Sequence, residues 1–385
     1  MSVRLQPRSV LHDERVAAVL GIALGVAFGV CFATGVLSHL IQNPPSWFHW
    51  PSRPAGLYRV TQGLHIATGI AAIPLLFAKL WVVFPKLFER PAFTGVAHFL
   101  ERVSLIPLIG GGLFQLTSGV ANINQWYPWP FGFLLAHYWV AWISIGALIV
   151  HIGAKWSITR QALAKRSPPD ATEHGDTDIA TTGIATTGIA TTERRTFLLT
   201  VFGMSGLLTL FTVGQTVGFL ERLTLLAPRR PSVGPQGFPV NRTAAGVGVL
   251  EAARSPDFRL QVDGNVRRSL TFTLDELNAL LQHGATLPIA CVEGWSTSQR
   301  WQGVRVRDLL AMAGAPAGAS VRVQSLQDHR SSMLNGSHAH DRDTLLALRV
   351  NDEVLHIDHG FPVRLIGPNR PGTMQTKWVT RLEVL

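Results

Sequence analysis

Five long apolar segments constrain this chain more than any other feature of its sequence. They run roughly over Val16–Leu40, Val60–Phe84, Val103–Ile123, Phe131–Ile152 and Phe197–Leu220. Each is long enough to cross a hydrocarbon core about 30 Å thick as a helix. Four carry no charged residue, and the second carries only Lys79, near one end, where its ammonium can snorkel to the headgroups. Uncharged runs of this number and length do not suit a soluble interior. Only 15% of the 385 residues are charged, against about 25% in an average soluble domain. A wholly soluble enzyme and a disordered chain are both excluded. The first segment is too long for a signal-peptide core and is followed by further spans, so it reads as retained.

Lys and Arg set the orientation. Arg4, Arg8 and Arg15 precede the first span. Lys86, Arg90 and Arg102 lie between the second and third. Lys155, Arg160, Lys165, Arg166, Arg194 and Arg195 lie between the fourth and fifth. The opposite loops hold only Arg53 and Arg59. The positive-inside rule places the N-terminus in the cytoplasm and everything after Leu220 outside it. Trp47, Trp50, Tyr58, Trp126, Tyr127 and Trp129 then fall at the outer boundary, as an aromatic belt should. The net charge is +10, but the basic residues form no stripe of the kind that tracks nucleic acid.

Histidines at membrane depth carry the first chemistry, because an ionisable group there is costly. His65 in the second span and His137 in the fourth have matching depths near the outer face. His151 follows His137 by fourteen residues, about 21 Å along a helix and nearly on the same face. His98, at the inner start of the third span, is the expected partner of His151. Facing imidazoles across a helix bundle suit a six-coordinate haem iron. Two haem b groups are therefore expected, one between His65 and His137 and one between His98 and His151. Gly69, Gly110–Gly112, Gly119 and Gly146 would let a flat macrocycle approach the backbone.

Residues 154–195 read as a cytoplasmic tether. They include an imperfect repeat, IATTG IATTG IATTE, over Ile179–Glu193. Glu193-Arg194-Arg195-Thr196-Phe197-Leu198-Leu199 resembles a twin-arginine export signal, which passes folded, cofactor-loaded domains. After Pro228 the charge content becomes ordinary. Phe258–Val262, a turn at Asp263-Gly264-Asn265, and Ser269–Phe272 predict strand, turn and strand. Thr273 with Glu276 predicts a capping box for a helix through Leu281. Val304–Ala313 reads as a short helix, and Val321–Ser325 and Val363–Ile366 as strands. Two Cys, Cys31 and Cys291, exclude a disulfide framework. His329, His338 and His340 lack a convincing ligand spacing and read as a surface loop.

Several motifs in this half match a known pattern in order: Pro288–Trp295, which contains Cys291; Trp301-Gln302-Gly303-Val304; Asp358–Ile366; Pro368–Gly372; and Lys377-Trp378-Val379. Over residues 236–385 the chain resembles the sulfite-oxidase-type molybdopterin oxidoreductases. That family also includes the catalytic subunit of the bacterial periplasmic methionine sulfoxide reductase. The resemblance implies that the Cys291 thiolate binds molybdenum and is the catalytic centre. It further implies that Asn241, Arg242, Ser325, His359, Arg364, Gln375, Thr376 and Lys377 contact the molybdopterin, with Gln375, Thr376 and Lys377 on its phosphate side. Here the chain departs from the reductase branch at His359 and in its fused membrane part, which leaves the substrate open.

The sequence thus predicts a five-span α-helical membrane bundle followed by an extracytoplasmic α+β domain. The expected parts are a four-helix cytochrome b-like domain over 1–153, the linker 154–195, a fifth span over 196–227 and the molybdopterin domain over 228–385. The expected function is that of a multi-pass molybdoenzyme of the cell membrane. It would transfer an oxygen atom to or from a small extracytoplasmic substrate and exchange electrons through two haem b groups with quinone or quinol. The loops Asn43–Arg59 and Asn122–Pro130 could dock the catalytic domain. Membrane lipid and a second copy of the chain are further expected partners. A haem-binding electron-transfer or assembly subunit with a non-catalytic domain is the alternative, and a transport or sensory protein is a third class.

Overall fold

The computed structural model describes residues 11–88, 95–164, 180–214, 218–328 and 330–385. Arg4, Arg8, Arg90, Lys165, Arg166 and His329 lie outside these residues. Five long helices come first: α1 (Glu14–Gln42), α2 (Leu57–Leu87), α3 (Val96–Ile123), α4 (Phe133–Ala164) and α5 (Ala180–Val213). All five are long and apolar enough to cross a membrane. The chain divides into two compact units. One comprises Met1–Gly35 and His65–Thr212, the other Val36–Leu64 and Val213–Leu385. The second unit therefore takes in the end of α1, the loop after it and the start of α2.

Within the first unit, Val16 and Leu20 of α1, Leu75 and Val82 of α2 and Val201 of α5 form a buried cluster. Helices α3 and α4 approach closely at Gly111, where an added Cβ would lie 2.3 Å from Ser144 Oγ. Lys155 pairs with Glu101 at 2.5 Å, and Arg194 of the twin arginine pairs with Asp13 at 2.9 Å. The middle of the expected tether, residues 165–179, lies outside the described residues, but both of its ends are helical. Helix α4 continues to Ala164, and α5 already begins at Ala180, so nearly all of the repeat is helical. The repeat contains no proline. A helix nucleated by the adjacent apolar run extends backwards at one hydrogen bond per residue fixed.

The second unit continues with α6 (Leu250–Arg254), β1 (Leu260–Gly264), β2 (Leu270–Phe272), α7 (Leu274–Ala279), β3 (His283–Ala290), β4 (Ser296–Arg305) and α8 (Val306–Ala313). Then come β5 (Val321–Ser325), β6 (Ser331–Leu334), α9 (Gly336–Ala339), β7 (Leu345–Val350), β8 (Glu353–Val354), β9 (Arg364–Ile366) and β10 (Val379–Val384). Two sheets result. One has the order β2-β1-β10-β5-β6; the other has β3-β4-β7-β8, with β9 also on β7. Strands β1 and β10 pair in parallel, which brings β10 beside the first strand of the domain. Leu260, Val262, Leu309, Leu310, Val323 and Leu382 bury one core. Phe238, Leu287, Ile289, Trp295, Trp301 and Ile366 bury a second core, around Cys291.

Expected and observed elements differ mainly at their ends. The expected helix at Val304 starts at Val306, because Val304 and Arg305 still pair with Leu346 and Leu345 of β7. The capping box forms: Glu276 N–H donates to Thr273 Oγ1 at 3.2 Å, and Thr273 N–H donates to Glu276 Oε2 at 2.7 Å. Helix α7 nevertheless ends at Ala279, since Leu280 is extended. Thr273→Ala should lower stability by about 0.5–2 kcal/mol, read from the thermal unfolding midpoint of the detergent-purified chain. Thr273→Ser should restore most of it.

Candidate functional site

Cys291 sits at the tip of a hairpin. Strands β3 and β4 pair down to Ala290 and Ser296, leaving Cys291–Trp295 as the connection. Cys291 N–H donates to Trp295 O at 3.0 Å, and Gly294 N–H donates back to Cys291 O at 3.2 Å. Gly294 takes φ 94, a left-handed conformation that glycine adopts without strain. Glu293 closes the tip from within, accepting from Trp295 Nε1 at 3.1 Å and pairing with Arg229 at 3.3 Å. Neither Glu293 nor Arg229 was picked out in the sequence, since a lone Glu beside a Cys gives no periodic signal.

The Cys291 sulfur is 2% exposed and accepts from Asn241 Nδ2 at 2.9 Å and from Glu293 N–H at 3.5 Å. Burial, then the Glu293 carboxylate, push the thiol up to about 12, against the pull of the Glu293 N–H, Asn241 and Arg229. Burial thus disfavours the free thiolate. A bound cation would reverse that, because a coordinated thiol is held deprotonated.

Two guanidinium groups of the same unit are buried without a counter-charge among the described residues. Arg364 at the start of β9 is fully buried, donates from Nη1 to His359 O at 2.9 Å and lies 5.3 Å over the Trp301 ring. Arg370 is also buried and donates to Met333 O and Met374 O, each at 3.0 Å. The Nε of each is buried without a partner. Among the described residues no ion pair reaches either guanidinium. Burial alone lowers both to about 10, so both remain charged near neutrality. An uncompensated buried charge costs several kcal/mol. Arg370 was missed as a site residue, because Pro and Gly on either side make it look like an exposed loop cation.

Lys377 donates to Asp358 O at 2.6 Å and to Arg242 O at 2.9 Å. Burial, then Arg364, lower its amine to about 7. His359 stacks on Phe238 with centroids 3.6 Å apart and donates from Nε2 to Pro235 O at 2.7 Å. Burial lowers it to about 3, with the Pro235 hydrogen bond opposing, so the ring is neutral and its Nδ1 is a buried acceptor without a donor.

The other expected residues divide. Ser325 Oγ donates to Lys377 O at 2.8 Å, and Thr376 Oγ1 meets Ser332 Oγ at 2.6 Å, so both hydroxyls hold the loop together. Gln375 donates to Pro288 O at 3.2 Å but leaves its buried Oε1 unpartnered. Gly372 lets this loop lie against the hairpin, where an added Cβ would be 3.1 Å from Ala290 O. His338 is a correction. It is 3% exposed on α9 rather than on a surface loop, because Asn335 caps the turn and accepts from its backbone N–H. Among the described residues no cluster of three His, Cys, Asp or Glu could hold a metal ion.

The segment between α1 and α2 also belongs to this unit, and it clamps the loop before Arg370. Asn369, at φ 53, uses all its polar groups on it. Asn369 N–H donates to Ala55 O and Nδ2 to Pro51 O, while Oδ1 accepts from Tyr58 N–H and O from Trp50 Nε1, at 2.7–2.9 Å. Arg53 pairs with Asp341 at 3.0 Å and with Asp343. Tyr58, Ile41 and Ala290 share a buried cluster beside Cys291.

In the first unit, the His65 and His137 rings face each other with centroids 6.3 Å apart. His65 Nδ1 lies 2.8 Å from Cys31 O, and His137 Nδ1 lies 3.0 Å from Ser118 Oγ. Each ring is thus held through Nδ1, which leaves Nε2 for a ligand, the arrangement typical of metal-binding histidine. An added Cβ on Gly35 would lie 3.0 Å from His65 Cε1. His98 accepts from Arg102 at 3.4 Å, and His151 Nδ1 is buried without a partner.

This geometry belongs to a recognised class. Residues 247–385 match the family model of the oxidoreductase molybdopterin binding domain. The chain is similar to YedZ1 of Azospira oryzae, named as a candidate protein-methionine-sulfoxide reductase subunit, at 33% identity over 43% of this chain and 64% of that one. It is also similar to mitochondrial sulfite oxidase of Drosophila melanogaster, at 29% identity over 33% of this chain and 27% of that one. Among solved structures, the sulfane dehydrogenase SoxCD of Paracoccus pantotrophus aligns over 34% of this chain and 38% of that one at 27% identity, with a TM-score of only 0.32. The chain thus spans less than two thirds of the length of these relatives. Its C-terminal part is a sulfite-oxidase-like molybdopterin oxidoreductase domain.

Asp341 gives a pH test of the clamp. Burial raises its carboxyl, but Arg53, the Asp343 N–H and Ser52 outweigh that and hold it below the usual carboxylate range. Its contribution is present in full above the ordinary carboxylate pKa and is lost as pH falls through the depressed value. Arg53→Ala should cost up to about 1 kcal/mol at pH 7. The thermal midpoints of variant and parent should converge only as the pH is taken below about 4, the ordinary carboxylate value.

Proposed function

We propose that this chain is a multi-pass membrane molybdoenzyme that transfers an oxygen atom to or from a small extracytoplasmic substrate. It exchanges electrons with quinone or quinol through haem b. The single observation that carries the reading is the sealed Cys291 thiol at the hairpin tip, in a unit that also buries two guanidinium groups without an ion pair among the described residues.

The residues present fit a molybdopterin. Cys291 would bind the metal, and Asn241 already hydrogen-bonds that sulfur. Arg364 and Lys377 would offset phosphate charge, Arg through directed N–H groups and Lys as a point charge. Buried His359 Nδ1 and Gln375 Oε1 would accept from the pterin's N–H groups. Arg242 is exposed at the rim and suits a phosphate edge. Gly372 allows close backbone approach. His65 and His137 fit a haem. Two imidazoles each about 2 Å from a shared ion would place their centroids close to the observed separation. When bound, molybdenum supplies two-electron oxygen transfer and haem iron supplies one-electron exchange, while the protein contributes orientation and electrostatics.

The reading is tested on detergent-purified protein. Elemental analysis should find about one molybdenum per chain, and reduced-minus-oxidised spectra should show a b-type haem. Sulfite should reduce that haem, or a sulfoxide or N-oxide should oxidise it once reduced. His137→Ala should abolish the low-spin spectrum of this haem and slow substrate-linked haem turnover at least tenfold. Haem without molybdenum would instead mark an electron-transfer or assembly subunit, and molybdenum without haem would remove the redox link to the lipid phase.

A further inference from the structure

Arg229 lies outside residues 247–385, which match the family model, yet its side chain reaches the surroundings of the Cys291 sulfur. It begins a strap over residues 229–241 that ends at Asn241. Within the strap Gly234, at φ 142, lets the chain double back so tightly that an added Cβ would lie 2.2 Å from Phe238 O. Phe238 is then fully buried against the Trp301 and His359 rings, and Pro235 O accepts from His359. The first side chain of the strap closes it on itself, since Arg229 Nη1 donates to Val240 O at 2.7 Å.

The same guanidinium has a second hold. Its Nε pairs at 3.3 Å with Glu293, whose side chain is 7% exposed and also accepts from Trp295 Nε1. Each end of this bridge adjoins a donor to the sulfur. Val240 precedes Asn241, whose Nδ2 donates to Sγ at 2.9 Å, and Glu293 donates through its own backbone N–H at 3.5 Å. Asn241 and Cys291 are 50 positions apart, so no local turn sets their contact. A guanidinium can hold both ends in one geometry, because its N–H groups point in fixed directions, whereas a Lys ammonium is a point charge on a flexible stem. Glu293 supplies the counter-charge, which spares either ion the cost of being buried unpaired.

We propose that Arg229 is a positioning residue for the Cys291 sulfur. By bridging Val240 O and Glu293 it keeps the Asn241 amide on that sulfur. This rests on the molybdenum reading above. Hydrogen bonds to a metal-bound sulfur draw charge from it and raise the reduction potential of the metal. Arg229 therefore acts on the bound metal through Asn241.

The test uses the full chain in detergent. Molybdenum is counted by elemental analysis, and its surroundings are read from the Mo(V) electron paramagnetic resonance signal and the metal's midpoint potential. Glu293→Gln keeps an acceptor for Arg229 and Trp295 and should leave signal and potential as in the parent. Arg229→Ala combined with Glu293→Gln removes the bridge without leaving a buried carboxylate unpaired. That pair should retain molybdenum, shift the g values and lower the potential, in the same direction as Asn241→Ala. Adding Asn241→Ala to the pair should shift the signal no further than Asn241→Ala does alone. A signal and potential unchanged from Glu293→Gln would overturn the proposal. So would shifts that add up, or molybdenum lost from the Arg229 variant but kept by Asn241→Ala, since Arg229 would then act other than through Asn241. A parent without molybdenum would remove the earlier reading itself.

Discussion

A thiol sealed from water is the feature on which the catalytic half depends. Cys291 is closed in by a hairpin tip whose glycine turns left-handed and whose glutamate is bound from inside by Trp295 and Arg229. The burial that protects the sulfur also suppresses its ionisation. In the same unit, the Nε atoms of Arg364 and Arg370 are buried without a partner, and among the described residues no ion pair reaches either group. A metal at the sulfur and an anion at the guanidinium groups would relieve both costs together, and a metal-bound, phosphorylated cofactor brings both. The arrangement is strained in charge rather than in backbone, as expected of a site completed by a ligand.

The helical half applies the same logic with neutral donors. His65 and His137 are fixed through one ring nitrogen each, by a backbone carbonyl and by a hydroxyl, and present the other to a shared space. In a membrane span such a pair would be costly unless it bound something. The loop between α1 and α2 gives Asn369 four hydrogen bonds. The segment that follows the first apolar helix is thereby built into the domain that contains Cys291.

Much of this was legible in the sequence, for identifiable reasons. The long helices follow from uninterrupted apolar runs, and the α7 cap follows from Thr273 and Glu276, both of which are local signals. Cys291 was picked out only through separated motifs in order, and the β3–β4 hairpin that carries it was not foreseen. What the sequence hid depends on packing. Burial of Arg370 and His338 comes from Asn369 and Asn335 drawing loops inward. Docking by the loop Asn43–Arg59 was expected, but its hydrogen bonds to Asn369, more than 300 positions away, were not legible. The helical repeat was read as a tether from its low complexity, because composition does not reveal extension from a neighbouring helix.

The most direct measurement is the metal and haem content of Cys291→Ser in the purified full chain. The account predicts that molybdenum falls from about one per chain to near zero while the haem spectrum and haem-to-protein ratio stay as in the parent. Molybdenum retained at parent levels with turnover intact would contradict it.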